Sequence, residues 1–319
     1  MGINRVSATY KTGSVLFRGL PRPVAEVSAR YGSRVVALAS AERRLLTERN
    51  LQRVHGPEFT GAPLRDAVYR TFESYARYWV DSFRLPGMSH DEIDAGFAFD
   101  GYEHIARALA SGVGPVIVLP HLGGWEWAAY WLTQVIGVRV TAVVEPVNPP
   151  ELFEFFIEFR KALGMDVVPL GPSAGSAVLK AIKANHVTVL LADRDILGTG
   201  VEVDFFGERT TLPPGPVTVA LRGGAALIPA GVYFRGAGHH AVVRPPMDLS
   251  RKGRFREDVE RITQDMAVEL ESLIRLAPDQ WHLQQPNWPS DYDALAAIGK
   301  PHTRPDQTPP PAPAPGPNR

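Results

Sequence analysis

The chain has 319 residues, 34 basic and 34 acidic side chains, 45% apolar and 21% charged residues, and no cysteine. This length fits one large α/β domain or two small ones; the composition excludes a mostly disordered, collagenous or coiled-coil protein, and the balanced charge does not advertise a nucleic-acid binder. Without cysteine there can be no disulfide scaffold, thiolate zinc site, iron–sulfur cluster or thiol nucleophile, and the redox compartment stays undetermined.

The opening MGINRVSATYKTG lacks the apolar core of a secretory signal, and no stretch approaches the roughly 18 consecutive apolar residues of a membrane-spanning helix, so the chain is expected to remain on the cytoplasmic side. A Met-Gly start could signal myristoylation, but Val6 stands where a Ser or Thr is required. The neutral total hides a local imbalance: ten Lys/Arg against three acids between Met1 and Val54, an excess of seven positive charges. In this segment Val24, Val27, Tyr31, Val35 and Leu38 recur at helical spacing, with Arg30 and Arg34 among them. Such a helix either lies on an anionic bilayer or packs on the core with a solvated basic face. Residues 1–60 are thus expected to form a basic, amphipathic helical segment facing a membrane. After the break at Gly56 and Pro57 an aromatic-rich helix is expected over LRDAVYRTFESYARYWVDSFRL.

From Gly101 the pattern alternates. GPVIVLP, VRVTAVVEP, MDVVPLG and HVTVLLADRD read as strands, separated by helices beginning at Gly124, Pro150 and Ser173. VEVDFF, ALIPAGVYFRG and HHAVVRPPM supply three further strand candidates, and a long helix over about Arg256–Leu276 closes the domain. The fold class expected for 61–298 is α/β, a single domain with a central, mostly parallel mixed sheet flanked by helices, in which ligands bind at the carboxyl ends of strands. The stretch 299–319, KPHTRPDQTPPPAPAPGPNR from Lys300 onward, is expected to be a disordered proline-rich tail.

The segment VIVLPHLGGWEWAAYW carries the chemistry. His121 follows a hydrophobic strand at once, Gly123 and Gly124 permit close backbone approach, and Glu126 sits in the first turn of the next helix. An imidazole is suited to accept a proton near neutral pH, and a carboxylate can hold its tautomer and stabilise the imidazolium. A competing signal is GPSAG, which fits G-x-S-x-G and permits a serine esterase using Ser173 with Asp193 or Asp248 and His282. Only three clear strands precede Ser173, and that arrangement leaves Glu126 and Arg160 without roles, so Ser173 is better read as a helix cap. His239 and His240, adjacent in the chain, are expected in a surface turn and point to opposite faces, so they do not share a metal. No metal site can be assembled, since His121 and Glu126 do not form H-E-x-x-H. Trp125, Trp127, Trp131, Phe153, Phe156 and Phe159 are expected in the core rather than around a cofactor.

His121 and Glu126 in HLGGWEW match the H-x4-D/E motif of the glycerolipid and lysophospholipid acyltransferase superfamily, and the surroundings resemble its bacterial branch of lipid A late acyltransferases. The ordered set supports this: an Asn-Pro segment and helix ending in Arg160 and Gly164, then LLADRDILGTGVEVDFFGERTTLPPG with paired acids and an FFG turn. Within the branch, Asp193-Arg194-Asp195 and DQWHLQQPNWPSD look most like phosphatidylinositol mannoside acyltransferases. The resemblance implies an acyltransferase taking a long-chain acyl group from acyl-CoA, as co-substrate with no other cofactor, to a sugar hydroxyl of a glycolipid at an anionic membrane surface. It places a catalytic acid at Asp193 beside the histidine, so either Glu126 or Asp193 is the partner of His121. It makes Arg160 and Arg194 candidate phosphate ligands, although each could equally form a structural salt bridge, and the Gly123-Gly124 turn a candidate oxyanion site.

Overall fold

The structure, a computed structural model, describes residues 12, 13, 17, 19–147 and 149–305. Val6, Asn148 of the Asn-Pro segment and residues 306–319 of the proline-rich tail lie outside the described residues.

From Arg22 the chain runs through three helices, α1 (Arg22–Ala39), α2 (Ala41–His55) and α3 (Gly61–Arg84). Pro23 lies in the first turn of α1, where amides have no intrahelical partner to lose. The small residues Ala25, Ser33 and Ala37 are the buried ones on α1, and their lack of bulk lets it lie close against α3. The apolar residues Val24, Val27, Tyr31, Val35 and Leu38 therefore face outward, 48–66% exposed, and the core-packing alternative does not hold for them. Arg30 and Arg34 instead reach Glu73 of α3, at 3.5 and 3.0 Å. Charge-rich α2 is tied down by Arg49 and Arg53, which both bond the fully buried Asp291 at 2.7 Å.

The chain then alternates: α4 (His90–Ala95), β1 (Phe97–Asp100), α5 (Tyr102–Ala110), β2 (Val116–Leu119), α6 (Trp125–Gln134), β3 (Val140–Val144), α7 (Pro150–Ala162), β4 (Met165–Pro169), α8 (Ala174–Lys183) and β5 (Val187–Leu191). After it come β6 (Val201–Phe205), β7 (Glu208–Leu212), α9 (Gly215–Gly223), β8 (Leu227–Arg235), β9 (Gly238–Val243), α10 (Phe255–Arg275) and α11 (Pro289–Ala297). Seven strands form one sheet in the order β1-β9-β8-β2-β5-β3-β4, in which only the β8–β9 pair is antiparallel. The expected α/β architecture with a mostly parallel mixed sheet is thus observed.

Central β2 is buried along its whole length, as a strand covered on both faces requires. Val116 and Val118 join a core with α8, α9 and α10, while Ile117 and Leu119 join the opposite core with α3, α5, α6 and α7. VEVDFF is a strand, as expected, but stands apart from the main sheet: β6 pairs antiparallel with β7 as a separate hairpin seated on α10. Its two-residue loop, Phe206 and Gly207, has positive φ at both positions, +54° and +72°, the sign pattern of a type I′ hairpin. His239 and His240 belong to β9 rather than to a surface turn; His239 is buried against Trp127, and His240 meets Asp100 at 2.9 Å.

Candidate active site

Parallel β2 and β5 are neighbours with Leu119 aligned on Leu191. His121 and Asp193, each two residues further on, consequently emerge side by side at the carboxyl edge of the sheet. His121 Nδ1 lies 2.6 Å from Asp193 Oδ1, and the His121 backbone N–H donates to Oδ2 at 3.0 Å. An ionised carboxylate only accepts, so Nδ1 carries the proton and Nε2 is left as the basic nitrogen. Asp193 is fully buried, whereas the imidazole is 34% exposed and open to an incoming substrate.

The His121 loop is gripped from the C-terminal side. Leu122 and Trp281 form a β-bridge, Gly123 N–H donates to Gln280 O at 3.0 Å, and His282 N–H donates to His121 O at 2.7 Å. From this same segment the Trp281 indole N–H donates to Asp193 Oδ2 at 2.8 Å, and the Asn287 amide donates to the Asp193 carbonyl at 3.2 Å. Burial alone would raise the Asp193 pKa, but the adjacent His121 and the N–H donors outweigh it and hold the carboxyl below its usual range.

Glu126 does not touch His121 through any hydrogen bond. Its Oε1 accepts the Tyr78 hydroxyl at 2.6 Å and Arg160 Nη2 at 3.0 Å, 1% exposed beneath the site. Burial raises its pKa, against the opposing pull of Arg160 and Tyr78. Asp193 is therefore the acid in contact with the histidine, and Glu126 anchors a buried cluster behind it. Arg160 is the cation of that cluster, its guanidinium 5.0 Å from the Trp125 ring centre, and does not stand free for a phosphate. Arg194 turns away from its flanking aspartates to pair with Glu145, just past β3. Asp195 shapes the following loop by accepting the amides of Leu197, Gly198 and Gly200.

The expected oxyanion role of the glycine turn is corrected in one respect: the Gly123 amide is already given to Gln280. Both glycines are required by packing. Gly123 has φ +55°, and a Cβ there would sit 1.9 Å from the Val232 carbonyl, while one on Gly124 would sit 2.5 Å from His239 Nε2. Ser173 lies exposed at the start of α8 and its side chain makes no cap bond. The other members of the esterase triad are committed elsewhere, Asp193 to His121 and His282 Nε2 to Ser74 Oγ at 2.8 Å.

Trp281, Tyr78 and His282, as it is used here, were not identified from sequence. His282 packs 5.2 and 5.7 Å from the Tyr75 and Tyr78 rings, and burial, with the neighbouring His121, lowers its pKa to about 3, so it stays neutral. The one available signal was the density of indole, amide and imidazole groups in DQWHLQQPNW.

Residues 9–290 match the family model described as bacterial lipid A biosynthesis acyltransferase. The chain is 38% identical over 289 residues to a phosphatidylinositol mannoside acyltransferase of Mycobacterium tuberculosis (strain CDC 1551 / Oshkosh), covering 88% of each chain. It is 37% identical over 285 residues to the protein of that name from Mycolicibacterium smegmatis, covering 88% of this chain and 91% of the relative. A lipid A biosynthesis acyltransferase of Haemophilus influenzae is 24% identical over 249 residues, covering 76% of this chain and 75% of the relative.

Proposed function

We infer the reaction from descent: this chain belongs to the bacterial lipid A biosynthesis acyltransferase family and is an acyltransferase. We propose that it moves a long-chain acyl group from acyl-CoA to a sugar hydroxyl of a glycolipid, the acceptor being a mannose of a phosphatidylinositol mannoside. The names of the relatives that cover 88% of the chain support the acceptor. The observation that carries the chemistry is the His121–Asp193 pair, 2.6 Å apart, with the imidazole 34% exposed.

In this reaction Nε2 of His121 takes the proton of the acceptor hydroxyl as its oxygen attacks the thioester carbonyl. The new C–O bond forms and the C–S bond breaks, and the imidazolium returns its proton to the departing thiolate, so no acyl-enzyme arises. Asp193 remains ionised and stabilises the imidazolium between the two transfers. Glu126, paired with Arg160, holds α6 and α7 in place. Arg194, next to Asp193 in the chain, is paired with Glu145 and, like Arg160, does not stand free for the phosphates of CoA or of the lipid head. Leu119, two residues before His121, lines an apolar slot with Phe97, Trp125, Ala129 and Trp131, but at about 50 Å³ it is too small to hold a long acyl chain.

The acceptor is a lipid, so the enzyme works at a surface. The outward stripe on α1, flanked by the basic N-terminal segment, rests on an anionic cytoplasmic leaflet without spanning it. Among the described residues no helix is long and apolar enough to cross a membrane.

The test is to incubate purified protein with radiolabelled palmitoyl-CoA and a lipid extract containing inositol mannosides, then identify the labelled product. Ester-linked label on a mannolipid is expected, and it disappears with His121→Ala. Release of free palmitate as the main product, or label elsewhere, refutes the proposal.

A further inference from the structure

We propose that Trp281 is a positioning residue for acyl transfer, its indole N–H holding Asp193 as an oriented carboxylate and so setting which nitrogen of His121 is basic. This presupposes His121 as the base.

Asp193 has no exposed surface, and a carboxylate in that position keeps its charge only if donors replace water. Three N–H groups do so. Two belong to His121 itself, its ring Nδ1–H and its backbone amide, and move with the loop they serve. The Trp281 indole comes from outside that loop and shares Oδ2 with the His121 amide. Without it nothing outside the His121 loop, among the described residues, donates to the carboxylate, which is then free to turn about its χ2.

Trp281 is itself immobile. It is 3% exposed, its ring lies 5.5 Å from Phe206 and 6.3 Å from Trp288, both centre to centre, and its backbone bridges Leu122. Trp288 in turn carries Arg53 on its face at 3.9 Å and donates to Phe205 O at 3.2 Å. The carboxylate is therefore located by an aromatic cluster that contains no reacting group. A Trp serving only to fill this space would need no polar contact, yet the indole N–H points at the one buried carboxylate that touches His121.

The experiment separates hydrogen bond from packing. Trp281→Phe removes the N–H with part of the ring, and site-specific replacement by benzothienylalanine removes the N–H with the bicyclic shape retained. Acyl transfer from palmitoyl-CoA to inositol mannoside lipids is measured as kcat, KM and pH profile, beside a thermal melt. With the benzothienyl variant kcat should fall roughly 10- to 100-fold, with KM for both substrates within about twofold, because the loss is confined to the transition state. The acid limb should move up by about one pH unit, since a carboxylate deprived of a donor binds its proton, and favours the histidine's, more tightly. A purely structural Trp281 lowers the melting temperature and leaves the acid limb in place, which overturns the proposal, as does wild-type kcat in the benzothienyl variant. If Trp281→Phe does not fold, the isosteric variant decides alone. A wild-type protein that transfers nothing from acyl-CoA refutes the reaction itself; an active wild type with unmoved variants refutes only the role of Trp281.

Discussion

Replacing each of the two buried acids by its amide should have opposite consequences. In Asp193→Asn one oxygen becomes an NH2 group, while three N–H donors still face the side chain: His121 Nδ1–H, the His121 amide and the Trp281 indole. The single remaining oxygen best serves the Oδ2 position, which takes two of those donors. The NH2 group then faces Nδ1 and forces its proton onto Nε2, turning the base into a donor. The equivalent tautomer error in a serine protease costs about 10⁴ in kcat, roughly 5 kcal/mol at about 1.4 kcal/mol per factor of ten. We expect a loss of about 10³–10⁴ in Asp193→Asn with little change in melting temperature. Glu126→Gln leaves an oxygen for Tyr78 but strips the charge from a partner of Arg160, whose side chain is only 13% exposed. An uncompensated buried cation costs about 3–5 kcal/mol, so this variant should melt well below the wild type while the folded fraction retains much of its kcat. The assay is labelled palmitoyl transfer to inositol mannosides, normalised to folded protein from a thermal melt. An Asp193→Asn enzyme within tenfold of wild type, or a Glu126→Gln enzyme equally stable but less active than it, would show that the two roles have been assigned to the wrong residues.

Three further outcomes follow from the geometry. Neutral, buried His282 titrates near 3 when folded and near 6.5 when unfolded, so between those values the unfolded chain binds the extra proton and stability falls as pH falls, by at most about 1.4 kcal/mol per unit; His282→Asn should flatten the melting temperature against pH in that window, and an unchanged slope refutes this. Val27→Asp, Tyr31→Ser and Val35→Asp together remove an exposed stripe and should reduce co-sedimentation with anionic vesicles at least tenfold at unchanged melting temperature, whereas Arg30→Glu with Arg34→Glu places acids against Glu73 and should destabilise; a triple variant that binds vesicles like wild type locates the membrane contact elsewhere. Ser173→Ala should leave transfer unchanged and fluorophosphonate should not label the protein, and loss of activity in that variant would revive the esterase.

Strands β2, β3, β5 and β8 could be read from the chain because strands inside the sheet are apolar along most of their length, as in VIVL and VTVLL; β4 and β6 showed through their β-branched residues, whereas the paired histidines of GHHAVV hid the start of β9. β7, with the sequence ERTTL, lacks that signature because its stability comes from hairpin pairing, and β1 shows three exposed residues out of four. Helix α2, AERRLLTERNLQRVH, hides its role because Arg49 and Arg53 are structural cations aimed at a partner more than 200 residues away. The same distance problem governs the site. His121 could be found from its place after a strand, but its pairing with Asp193 in preference to Glu126 depends on β2 and β5 being neighbours, and strand order is a non-local property. Glu126 is close in sequence and remote in contact, since helix α6 turns its first-turn acid inward toward Tyr78 and Arg160. The outward stripe of α1 was visible as a period, but its direction was decided by Ala25, Ser33 and Ala37 on the other side.

The nine strands among the described residues are complete by Val243, yet the residues that brace the Asp193 side chain and carbonyl from outside, Trp281 and Asn287, come about forty residues later. During synthesis, therefore, His121 and Asp193 emerge well before the segment that braces them, and the pair gains its outside support only once the last tenth of the α/β region has been made.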